Sequence, residues 1–167
     1  DRQYNREIQA TLENGTLEDK ALLFLRESRE LGLNADEMGI RLGLFGKHLK
    51  KALNEPLSSK KMVVVDSASQ RYVVVEIAEK IKAMLVERIK AYHRQYPLQP
   101  GIAKEELRTS LGRKVDFKVF NYCINDLIKK SVMVQEESFV RMADHQVALK
   151  ADEEQLRKEL SIWYREK

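Results

Sequence analysis

Cysteine, glycine and proline are all scarce in this chain, with one Cys, seven Gly and three Pro among 167 residues. Cys123 has no second cysteine to pair with, so no internal disulfide holds the fold, which suits a reducing, cytoplasmic compartment. Few glycines and prolines exclude a low-complexity chain and leave helix as the dominant expectation. No run approaches the roughly 20 apolar residues of a membrane span, and the first residues lack the charged-then-apolar pattern of an export signal. A strong excess of one charge is missing too. Thirty basic residues are offset by 26 acidic ones, for a net charge of +4 and a pI near 9.1, so a local basic face is compatible with the composition and a wholly basic surface is not.

Groups for catalysis or metal binding are equally sparse. His48, His93 and His145 fall in three different predicted elements, and neither H-x-x-x-H nor C-x-x-C spacing occurs. His93 is expected to act as a cation at the end of its helix, Cys123 as a small core residue, and Asp152, Glu153 and Glu154 as acids at a helix start. Gly39, Gly43, Gly46 and Lys47 suggest a phosphate loop only superficially, because Arg41 and His48 occupy the wrong places for G-x-x-x-x-G-K-[ST]. No nucleophile, acid-base pair or resident cofactor is expected, and the chain reads as a non-enzyme.

What is present is periodic. Tyr4, Ile8 and Leu12 form one apolar stripe on a leading helix that Asn14-Gly15 ends. Thr16 and Asp19 then predict a capped helix to Gly32, and Asn34 with Glu37 predicts a second, shorter one ending near Gly43. A third helix runs from Phe45 until Pro56 stops it, with Leu49 and Leu53 inward. Valine-rich runs at 61–65 and 71–75 make a β-hairpin, and helix resumes from Glu76 with Ile77, Ile81, Leu85, Ile89 and Tyr92 on one face.

Residues 92–108 form the joint around which the rest repeats. Pro97 and Pro100 end one helix, Gly101 supplies backbone freedom, and Glu106 stands where a capping acid belongs. Gly32, Leu33, Met38, Leu42, Gly43, Val63 and Val65 have like residues 69 positions on, at Gly101, Ile102, Leu107, Leu111, Gly112, Val132 and Val134. Between them Phe117, Phe120, Ile124, Leu127 and Ile128 mark another third helix, and 132–136 pairs with 139–143 across a tighter tip. Leu156, Leu160 and Trp163 echo Leu85, Ile89 and Tyr92 at an offset of 71, as the opening of a third copy. With no methionine before Asp1 and a helical pattern still running at Lys167, the chain is expected to be part of a longer protein.

Helix, short helix, helix and hairpin in 65–70 residues is the order of a winged helix. The fold class is therefore mostly α with small β-hairpins (α+β), as tandem winged-helix domains: a leading helix at 1–15, domains at 16–75 and 76–148, and the start of a third unit at 149–167. His93, Pro97-Leu98, Pro100-Gly101 and Glu105-Glu106-Leu107-Arg108, together with Gly32-Leu33, Gly43-Leu44, the Lys-Met-Val-Val strand and Tyr72-Val73, resemble the C-terminal winged-helix array of the bacterial selenocysteine-specific elongation factors (SelB). That resemblance covers essentially the whole chain, as the first two of four winged helices. It implies a parent GTPase that binds GTP and selenocysteinyl-tRNA elsewhere, and an array that tethers it to an mRNA hairpin mainly through its last domain. The implied role is a monomeric, non-catalytic connector with weak ribosome, tRNA or RNA contacts and no membrane partner. A winged-helix DNA-binding regulator is the alternative.

Helix-turn-helix geometry then selects candidate nucleic-acid contacts on each third helix and the turn before it: Lys47, Lys50 and Lys51 in the first repeat, and Arg113, Lys114 and Lys118 in the second. Lys60, Lys61, Lys129 and Lys130 flank the wings. Solvation alone also explains such lysines, and the third helices offer few of the arginines and amides that read DNA bases well.

Overall fold

The structure, a computed structural model, describes the backbone of residues 1–165 and the side chains of 1–145 and 153–165. Helices α1 (Arg2–Asn14), α2 (Leu17–Ser28), α3 (Ala35–Leu42) and α4 (Gly46–Ser58) lead into a hairpin of β1 (Met62–Asp66) and β2 (Arg71–Val74). The order recurs as α5 (Val75–Gln95), β3 (Ile102–Ala103), α6 (Lys104–Ser110), α7 (Phe117–Lys129), β4 (Met133–Glu136) and β5 (Phe139–Met142), followed by α8 (His145–Arg165). This is an α+β tandem winged helix. Among the described residues no helix is long and apolar enough to cross a membrane.

The first repeat is punctuated as its sequence dictates. Thr16 Oγ1 accepts from Asp19 N at 3.1 Å and Asp19 Oδ2 from Thr16 N at 3.1 Å. Asn34 and Glu37 close the equivalent box at 2.8 and 3.3 Å, and Gly43, at φ 69°, ends α3 in the left-handed conformation.

Two punctuation marks differ from the sequence expectation. Pro56 lies inside α4, which continues to Ser58, because the missing amide falls in the final turn; Ser59 N still reaches Glu55 O at 2.8 Å, and the proline ring is buried in the core. Glu106 caps nothing either. The N-cap of α6 is Ala103, without a side-chain bond, and Lys104 N instead donates to Ser138 O at 2.9 Å, so the wing of the second repeat takes over the cap's work.

The segment before each short helix pairs with its wing, as a single bridge in the first repeat and as a third strand in the second. Leu33 bridges Tyr72 through bonds of 3.1 and 2.7 Å, and Ile102 and Ala103 pair with Val140 and Phe139 to give the order β3-β5-β4. This explains the repeated Gly-Leu and Gly-Ile. A Cβ on Gly32 would stand 2.3 Å from Tyr72 O, and one on Gly101 2.7 Å from Val140 O. Gly32 also needs its φ of 66°, whereas Gly101 has no left-handed φ, so close approach and not backbone freedom is what makes it glycine.

The contacts divide the chain into two compact units, one of residues 1–81 with 112–123 and the other of 82–111 with 124–167. In the first, Leu22, Leu25, Met38, Leu49, Leu53, Met62, Tyr72 and Val74 make one continuous core. In the second, Leu85, Ile89, Leu107, Ile124, Met133 and Val140 are buried. Phe117, which marks the start of α7, is 54% exposed in its first turn. The residues expected to open a third copy, Leu156, Leu160 and Trp163, lie exposed along α8. Glu153 and Glu154 stand well inside that helix and not at its start, and the Asp152 side chain lies outside the described residues.

Candidate nucleic-acid interface

The side of α4 opposite Leu49, Leu53 and Pro56 carries Lys47, Lys51 and Asn54 at i, i+4 and i+7, with Lys50 on its flank. All three lysines are exposed and make no ion pair among the described residues. The one acid of this helix, Glu55, is turned toward Glu18, whose hydrogen bond holds the Glu55 carboxyl above its ordinary pKa. Phe45 precedes the first turn as its N-cap, 61% exposed. The outward face of α4 is therefore basic, while the Phe45 ring lies toward Gly39 of α3.

The second predicted set is not equivalent. Arg113 and Lys114 are exposed in the turn before α7, but Lys118 Nζ sits 2.6 Å from Asp66 Oδ2 at the tip of the first hairpin. Lys118, and then Ser69, hold the Asp66 carboxyl far below the usual carboxylate range. Two residues earlier, just before α7, Asp116 N donates to Glu30 O at 3.1 Å and Asp116 Oδ1 lies 3.9 Å from Arg71 Nε. Farther along, the Cys123 thiol approaches Ala78 O at 3.7 Å. The first half of α7 is therefore packed inside the first unit. Of the flanking lysines, Lys61 faces Glu18 at 3.5 Å and Lys130 faces Asp126 at 2.9 Å, while Lys60 and Lys129 are exposed.

Sequence reasoning missed Arg71 and Asp66. Neither could have been found, since their partners lie 40 and 52 residues away.

His93 and His145 are structural, while His48 is exposed on α4. His93 is not the helix-end cation expected from its position. Its Nε2 accepts from Met142 N at 3.0 Å, and its ring stacks on His145 at 3.6 Å between centroids, while His145 Nε2 meets Gln99 O at 3.0 Å. Desolvation, and then His145, push the His93 pKa down to about 4. The neutral ring is the folded form, so the unfolded chain takes up the proton first as pH falls. Stability from this site should be complete above about pH 7 and lost between about 6.5 and 4, by on the order of 1–2 kcal/mol for a partly exposed ring. Chemical denaturation of wild type and His93→Gln, which keeps an acceptor, at pH 7.5 and 5 would show a smaller pH loss in the variant; equal losses would count against the assignment. Among the described residues no three His, Cys, Asp or Glu side chains gather to hold a metal ion.

Residues 86–142 match the family model described as the winged helix of elongation factor SelB, second of its winged-helix domains. Over 159 residues, 95% of the chain, the sequence is 27% identical to the selenocysteine-specific elongation factor of Desulfomicrobium baculatum. The chain spans 25% of that relative's length. The mRNA-binding domain of SelB from E. coli, solved in complex with SECIS RNA, has a similar fold, with a TM-score of 0.50 at 8% identity over 74% of this chain and 96% of that one.

Proposed function

We propose, from the chain's similarity to the C-terminal winged-helix region of the selenocysteine-specific elongation factor SelB, that it works as a non-catalytic connector in selenocysteine incorporation. It would join a GTPase and tRNA-binding body to the end that holds the mRNA hairpin, in the cytoplasm, on the ribosome. The observation that carries this reading is continuous similarity across 95% of the chain to one quarter of a single translation factor. The repeated architecture fits a spacer, because duplication of a small folded unit lengthens reach without new chemistry. GTP would belong to the remainder of such a factor. Phosphate contacts would come from the basic faces, with Lys47, Lys50 and Lys51 open on α4, Arg113 and Lys114 open in the turn, and Lys118 available only when Asp66 releases it.

The test is a full-length factor carrying this region, with residues 1–145 deleted and replaced by a flexible linker. Read-through of a UGA codon ahead of a reporter should fall at least about tenfold while GTP binding by the purified factor is unchanged. Read-through at the wild-type level would overturn the connector reading.

A further inference from the structure

Asp66 stands at the tip of the first wing, where β1 shifts register against β2 between Val64 and Asp66, a bulge of the kind that re-aims a side chain. Three donors converge on its carboxylate. Oδ2 accepts from Ser69 N at 2.9 Å, from Ser69 Oγ, and from Lys118 Nζ at 2.6 Å. Ser69 thereby holds the carboxylate in one orientation, and Lys118 meets a charge already fixed in place. The backbone at the start of α7 is fastened as well. Asp116 Oδ1 caps the helix by accepting from Lys118 N at 2.8 Å, while Asp116 N is bonded to Glu30 O and Arg71 Nε lies 3.9 Å from the same carboxylate oxygen.

We propose that the tip of the first wing is an autoinhibitory contact, in which Asp66 takes the place of a phosphate on Lys118 and closes the start of α7 to polyanions. In a helix-turn-helix the beginning of the third helix is the part offered to nucleic acid. A carboxylate meets an ammonium group with the same charge-assisted geometry as a phosphate oxygen, so wing tip and ligand compete for one cation. The two third helices differ accordingly. Lys47, Lys50 and Lys51 on α4 make no ion pair among the described residues, whereas Lys118, the one lysine in the first half of α7, is paired. Its side chain is still 44% exposed, so a competing phosphate has room to approach. Because Lys118 and Ser69 hold the Asp66 carboxyl far below the usual carboxylate range, the contact persists through the neutral range and is released by competition and not by pH.

Fluorescence anisotropy of residues 1–167 with a labelled duplex RNA of arbitrary sequence, repeated across a salt series, tests this contact. Lys118→Gln alone should leave the slope of log K against log salt within about 0.3 of wild type, because a lysine already paired with Asp66 releases no counter-ion on binding. Asp66→Asn keeps the size of the side chain and an acceptor for Ser69 N but loses the charge. It should raise affinity about three- to fivefold and steepen the slope by about 1, as Lys118 becomes free to meet a phosphate. In a Lys118→Gln background the same Asp66→Asn change should gain less than about 1.5-fold, since the removal of a negative charge from the surface is then all that remains. Equal gains in the two backgrounds would overturn the proposal. So would a slope flattened by about 1 in Lys118→Gln alone, a result that can be read whether or not Asp66→Asn folds. The proposal rests on the connector reading only for its choice of a polyanion as competitor: read-through lost on deletion with equal gains in the two backgrounds refutes the contact alone, and the reverse refutes the connector alone.

Discussion

Gly32→Ala should destabilise the first unit by about 3–5 kcal/mol, and Gly101→Ala the second by about 2–4 kcal/mol. Both new methyl groups would collide with a main-chain carbonyl, at 2.3 Å from Tyr72 O and 2.7 Å from Val140 O. A flexible side chain could swing away from such a contact. A carbonyl inside a strand cannot, because moving it opens the pairing of Leu33 with Tyr72 or of Ile102 with Val140. Gly32 carries a second penalty from its φ of 66°, which a Cβ resists, and that difference should make it the worse of the two. Urea denaturation followed by circular dichroism, with amide exchange at Leu33 and Ile102 to report each unit, would measure both. A Gly101→Ala loss below about 1 kcal/mol would mean that the wing strand slides easily, contrary to the close-approach argument.

These two glycines also show what was legible in the sequence and why. The 69-residue repeat exposed them as equivalents, and the equivalence is real in three dimensions: each precedes a residue that pairs with a wing strand, Leu33 with Tyr72 and Ile102 with Val140. Helix starts were readable where the signal is local, as at Thr16 and Asn34, whose partners lie three residues on. They were misread where the partner is remote. Glu106 has the spacing of a capping acid, but the cap position is Ala103, which has no side-chain oxygen and is paired with Phe139 in the wing, and Lys104 N bonds Ser138 O. His93 has the position of a helix-end cation, but Met142 N donates to it from 49 residues away. The lysine face of α4 was visible because a basic helical stripe needs only periodicity. That Lys118 would be engaged by Asp66, while Lys47, Lys50 and Lys51 stay open, depends on how residues 112–123 pack, which no local pattern records.

Arg71→Met should cost about 2–4 kcal/mol, a large effect for a residue at the edge of a short strand. Its side chain is 17% exposed and reaches in three directions. Nη1 donates to Leu31 O at 2.7 Å and Gly32 O at 3.4 Å, Nη2 lies 3.8 Å from Glu37 Oε1, and Nε lies 3.9 Å from Asp116 Oδ1. The two carbonyls matter most, because removing their donor leaves polar atoms near a glycine already pressed against Tyr72, while the two longer ion pairs add less. Methionine keeps the aliphatic packing and removes only the fork, so the loss would report the polar contacts. Arg71→Lys should recover less than half of it, since a single ammonium group cannot reach carbonyl and carboxylates together. Exchange of the Asp116 amide, bonded to Glu30 O, should quicken in Arg71→Met, because Arg71 links the α2–α3 turn to the start of α7. Were Arg71→Met within about 0.5 kcal/mol of wild type with Asp116 exchange unchanged, the packing of residues 112–123 would have to rest on apolar contacts alone.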